Sequence, residues 1–134
     1  MKNIAFLLTT LALAVGIPIL PGHAQEGKAI KALMQRKLEN SQKVLEGLAL
    51  NDYDKVGKHA GDLIAISKAA DWKVLKTAQY ELYSNDFRRN AEQLVQMAKN
   101  KNTDGMALAY VEMTLTCVKC HKHVREERMA RLDD

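Results

Sequence analysis

Cys117 and Cys120 stand three positions apart, and His121 follows directly. This C-x-x-C-H spacing is the attachment signature of a c-type haem. Two cysteine sulfurs form thioethers with the vinyl groups of one porphyrin, and the adjacent imidazole rises onto the iron as the proximal ligand. The motif uses both cysteines of the chain. Three other chemistries compete for these residues. A thiol–disulfide redox pair expects a strand before the motif, and nothing upstream reads as a βαβ unit. A zinc site would draw on Cys117, Cys120, His121 and His123, but two histidines two apart on a helix diverge. The third reading is a chance match. The N-terminus favours haem attachment, because it describes a compartment where that chemistry takes place.

Lys2 precedes a nearly unbroken apolar run from Ile4 to Leu20, interrupted by Pro18 and followed by Pro21. Gly22 and Ala24 sit three before and one before a cleavage point, with Gln25 next. Residues 1–24 read as a secretory signal peptide and 25–134 as one domain. The rival is an uncleaved anchor helix, which the short run and its prolines disfavour. No later stretch is apolar enough to span a membrane, so the expected mature protein is soluble and periplasmic. Without Lys2 it carries 19 basic and 16 acidic residues, a net charge of about +3. The charges are interspersed, so no nucleic-acid footprint is expected.

The elements that position the motif read as helices. Both prolines lie in residues 1–24, and Ala, Leu, Lys, Glu and Gln dominate the rest. Segment one, about 26–49, places Ile30, Met34, Leu38, Ser41, Leu45 and Leu48 on one face, with Leu33 and Val44 alongside. Lys31, Gln35, Glu39, Gln42 and Glu46 take the other side. A turn with Asn51 or Asp52 as N-cap leads to segment two, about 53–69, whose face is Val56, Ala60, Leu63, Ile64 and Ser67. Residues 70–83 hold Trp72, Tyr80 and Tyr83 without a clear period and read as a longer connection with room for one helical turn. Those aromatics either cover one side of a flat cofactor, with Trp72 foremost, or simply cap the bundle end. Segment three starts with Ser84 as N-cap and runs to about Asn100 on Phe87, Ala91, Leu94, Val95 and Ala98. Segment four, about 104–132, carries Met106, Tyr110, Met113, Cys117, Cys120, His121 and Val124 on its buried face. The expected fold is all-α, an antiparallel four-helix bundle with covalently attached haem.

A haem motif near the C-terminus of an all-helical chain resembles the class II c-type cytochromes, the cytochrome c-prime group. The order of signal peptide, four amphipathic helices and terminal C-x-x-C-H covers the full chain. Arg125, four residues after His121, matches the family pattern C-H-x-x-x-R. The resemblance implies either a propionate or haem-edge role for Arg125 or a solvated arginine. His123 departs from the aromatic or apolar residue common there and reads as a surface or haem-edge histidine. The family's low-spin branch places a first-helix methionine on the iron, and Met34 stands at about that position. The competing reading of Met34 is a core filler. Met97, Met106, Met113 and His59 are its rivals as sixth ligand.

The resemblance implies a periplasmic monohaem cytochrome that passes single electrons between redox partner proteins and performs no bond chemistry. Its iron, in one covalently attached haem c, would be held by His121 and Met34, with Cys117, Cys120, Arg125 and Trp72 binding the cofactor. A different class is a five-coordinate haem protein that binds NO or CO, with Met34 only packing nearby. A peroxidase would need a distal histidine paired with an arginine, which the sequence does not offer. Monomer and homodimer both remain open.

Overall fold

The computed structural model describes residues 22–69 and 74–132. The described chain is all-helical: α1 Gly22–Ala49, α2 Tyr53–Ser67, α3 Ala78–Lys99 and α4 Thr103–Ala130. Helices adjacent in sequence pack tightly, α1 on α2, α2 on α3 and α3 on α4, giving a four-helix bundle. The closing seam is different, because α1 and α4 barely touch. The signal-peptide reading falls almost wholly outside the described residues, although Gly22–Ala24 lie within α1.

Two turns of one design fix the hairpins. After α1, Asn51 adopts φ 54°, Asp52 N–H donates to Gly47 O and Asn51 N–H to Leu48 O. After α3, Lys101 adopts φ 52°, Asn102 N–H donates to Met97 O and Lys101 N–H to Ala98 O. In each, a left-handed residue lets the chain fold back and satisfy the last carbonyls. The next residue then caps the following helix: Asp52 accepts from Lys55 N–H, and Asn102 from Gly105 N–H. The two turns are joined, since the Tyr53 and Thr103 hydroxyls lie 3.2 Å apart.

The core runs through all four helices, with Val44, Val56, Leu63, Phe87, Leu94 and Met113 among its most buried side chains. Gly47, read from sequence only as a weak point of segment one, has a packing role. A Cβ there would lie 2.8 Å from Val56 Cγ2 and 3.1 Å from Asp52 O. Its bare backbone lets α1 and α2 close on each other beside the turn.

Two expectations are corrected. Helix α3 starts at Ala78, so residues 78–83 are helical and not part of a connection. Thr77 is its N-cap, accepting from Tyr80 N–H, and Ser84 is an interior residue that donates to Tyr80 O. The buried stripe Tyr80, Ser84, Phe87, Ala91, Leu94 and Ala98 then keeps one period throughout. The face of α1 also turns. Leu33, Lys37, Val44 and Gly47 are buried, whereas Leu38 and Leu45 are each about half exposed. Helix α1 thus carries two apolar stripes. One enters the core, and the other, with Met34 and Leu38, faces the loose seam with α4.

Candidate functional site

The seam between α1 and α4 opens into two clefts. The smaller, about 250 Å³, is lined by Ile30, Val74, Tyr80, Cys120, Val124 and Arg125, among others. The larger, about 480 Å³, is lined by Lys31, Leu38, Ser41, Tyr110, Thr114 and Cys117, among others. Met34, Lys37 and His121 line both, so they form the partition between them. The larger falls within the size range of small-molecule and cofactor sites, and both are mainly apolar with few polar groups, as such sites are.

Helix geometry explains the placement on α4. Residues at i and i+4 share a face, so Cys117 and His121 stack one turn apart, with Cys120 turned inward. Cys120 is buried and Cys117 half-buried, and both are free thiols. Each opens into a different cleft, with His121 between them; His121 is exposed, not on the buried face where the sequence placed it, because it lies at the rim of the loose α1–α4 seam. On α1, Ile30, Met34 and Leu38 follow one another at intervals of four along the facing flank.

This segment of α4 is braced from behind. Asn90 of α3 donates through Nδ2 to Thr116 Oγ1 at 3.2 Å, and Thr116 donates to Glu112 O at 3.0 Å. Both side chains are buried, and among the described residues no buried side-chain polar atom lacks a partner. Two residues past the motif, His123 Nε2 meets Thr77 Oγ1 at 2.7 Å, and its ring packs edge-on against Tyr83. His123 is therefore a tie between α4 and the start of α3.

Lys37 is the side chain that sequence reasoning missed. It lies on the buried stripe of α1 with 8% exposure, and its ammonium sits 4.3 Å above the Phe87 ring. Burial lowers its pKa, and the nearby thiols of Cys117 and Cys120 offset part of that. A lysine inside an otherwise apolar stripe was the available signal. Burial raises the Cys120 thiol, and Lys37 counters it in part. Partial desolvation, then the charges of Lys37 and Arg125, hold the His121 imidazole below its ordinary value. A neutral imidazole is the form that binds a metal.

The remaining expected residues divide clearly. Met34 is half-buried on the partition, facing the motif, and Arg125 is exposed on the wall of the smaller cleft. Trp72 lies outside the described residues. Met106 and Met113 are fully buried in the core, and Met97 lies against Asn102 at the opposite end of the bundle. His59 is held by Asn40 at 2.8 Å and lines neither cleft. Among the described residues no three His, Cys, Asp or Glu side chains stand close enough to hold a metal ion, so the four-residue zinc cluster does not form.

A flat group carried by Cys117 and Cys120 fits this donor set. The thiols flank the imidazole, a thioether lines the same clefts, and the walls combine apolar residues such as Ile30, Leu38 and Val124 with basic Lys31, Lys37, Arg125 and Arg128. Among the described residues no helix is long and apolar enough to cross a membrane. No family model, curated protein or solved structure matches the chain.

Proposed function

We propose that this protein is a periplasmic monohaem c-type cytochrome of the class II kind, which carries single electrons between redox partners. The observation that carries the reading is the partition: Met34 and His121 line the same two clefts, and Cys117 and Cys120 open one into each. Cys117 and Cys120 hold the haem through thioethers, His121 supplies the proximal ligand, and Met34 supplies the sixth. Bound haem supplies one reversible electron at the iron, and methionine–histidine ligation raises its potential.

The chain's own work is positional. Buried Phe87 lies under the Lys37 ammonium of the partition. The Asn90–Thr116 hydrogen bond seats the attachment turn on α3. Val74, Tyr80 and Val124 limit water in the smaller cleft, and Arg125 stands on its wall to meet a propionate. The second apolar stripe of α1 finds its partner in the cofactor, which accounts for apolar surface the core does not use.

Mass spectrometry and visible spectra of the purified protein, with and without Met34→Ala, test this. The expected result is a covalently held porphyrin in both and a change of ferric iron from low-spin to high-spin in the variant. A chain with only its polypeptide mass refutes the haem reading. A coloured wild type that is already high-spin removes Met34 from the iron and leaves a gas-binding protein on the same fold.

A further inference from the structure

We propose that the mouth of the α1–α4 clefts is a docking surface for an acidic redox protein, an inference that rests on the electron-carrier reading. Three basic side chains besides the buried Lys37 line the two clefts, namely Lys31, Arg125 and Arg128, and among the described residues no carboxylate lines either. Lys28 lies one helical turn from Lys31 and Lys122 one turn from Arg125, so both extend the same patch. All five are exposed.

Pairing elsewhere is partial: Lys43 and Lys55 share the single carboxylate of Glu46 and Lys58 meets Asp62, whereas Lys99 and Lys101 at the joined turns make no ion pair among the described residues. Among the described residues Lys28, Lys31, Arg125 and Arg128 make no ion pair, and Lys122 reaches Glu126 only at 3.8 Å. Helix α4 changes sign along its length. Its first half, 103–116, holds Asp104 and Glu112 and no lysine or arginine, whereas 117–130 holds four against Glu126 and Glu127. The two propionates of a haem would engage at most two cations, leaving a surplus.

Leu38, which lines the larger cleft, is 53% exposed at the mouth. An apolar centre with a charged rim is the anatomy of a protein interface. Electron-transfer encounters lie at the small end of the size range, where charge supplies orientation and speed. A second copy of this chain would bring like charges together, so the occupant is a protein with an acidic rim around its own redox centre.

The test is stopped-flow oxidation of the reduced, haem-loaded protein by two triply charged reagents, ferricyanide and tris(phenanthroline)cobalt(III). Raising ionic strength from about 10 to 500 mM should slow the anionic reagent about tenfold or more and leave the cationic one equal or faster. The variant Lys31→Glu/Arg128→Glu should flatten the ferricyanide dependence, and Lys99→Glu/Lys101→Glu should not. An acidic plant-type ferredoxin should bind the wild type at low salt and not the first variant, whereas phosphatidylglycerol vesicles should not retain the protein at about 150 mM salt. Equal salt dependence for both reagents, sensitivity to the Lys99/Lys101 pair, or vesicle binding without ferredoxin binding would overturn the proposal. A protein without covalent pigment fails the electron-carrier reading, and a pigmented, electron-competent protein without charge selectivity fails the docking surface alone.

Discussion

Thr116→Val removes a hydroxyl from behind the attachment turn while keeping the side chain's shape, so the electrostatic loss can be separated from packing. In the wild type, Thr116 Oγ1 accepts from Asn90 Nδ2 at 3.2 Å and donates to Glu112 O. Valine leaves the Asn90 amide buried without that acceptor, which costs about 1–3 kcal/mol. The Glu112 carbonyl loses less, because the ordinary helix bond from the Thr116 backbone still reaches it. Asn90→Ala leaves a small void but no orphaned donor, since Thr116 keeps Glu112, and should cost about 1 kcal/mol. In the double variant the amide is gone, so its penalty vanishes. The combined loss should fall short of the sum of the singles by about 1 kcal/mol or more. Urea unfolding of the three variants, followed by far-ultraviolet circular dichroism, measures this coupling. Losses that add to within about 0.5 kcal/mol would show that the two side chains do not share a bond, and the proposed bracing of the motif would fail.

Gly47→Ala should destabilise the fold by about 1–3 kcal/mol despite alanine's better helix propensity, because the new methyl group collides with Val56 Cγ2 at 2.8 Å and Asp52 O at 3.1 Å. Thermal unfolding checks it, and an unchanged or higher midpoint would contradict the close α1–α2 approach. Lys37→Met addresses the buried amine. Burial lowers the pKa of Lys37, so the unfolded chain binds more protons between the lowered folded value and the ordinary lysine value of 10.5. Stability of the cofactor-free protein should therefore rise with pH through that window, and the burial penalty should be fully present below it. The methionine variant should lose this rise when urea midpoints are compared from neutral to alkaline pH. Parallel curves for the two proteins would place Lys37 in water.

The all-helical class and the approximate ends of α2 and α4 were legible because each is written locally. The C-x-x-C-H spacing needs no fold to be noticed, and Asp52 was one of two residues the sequence offers as the cap of α2. The start of α3 was not legible, because Ser84 is a good N-cap residue by type and only tertiary burial shows it to be interior. Thr77, the true cap, precedes a tyrosine-rich stretch whose apolar positions alone show no period. In α1, leucine is more apolar than lysine, so Leu38 and Leu45 drew the face toward themselves. Lys37 and Val44, not Leu38 and Leu45, lie on the buried stripe. Met34 came forward through the resemblance to the low-spin branch and its place on the apolar face of segment one, a face that in the structure lines the clefts. The Asn90–Thr116 pair spans 26 residues and leaves no local trace.

The bond between the Tyr53 and Thr103 hydroxyls clasps both turns at one pole of the molecule, and the α1–α4 seam lies loose along its length. The bundle is thus tied at that pole and along three of its seams, and the fourth seam, between α1 and α4, is where the fewest contacts hold it together.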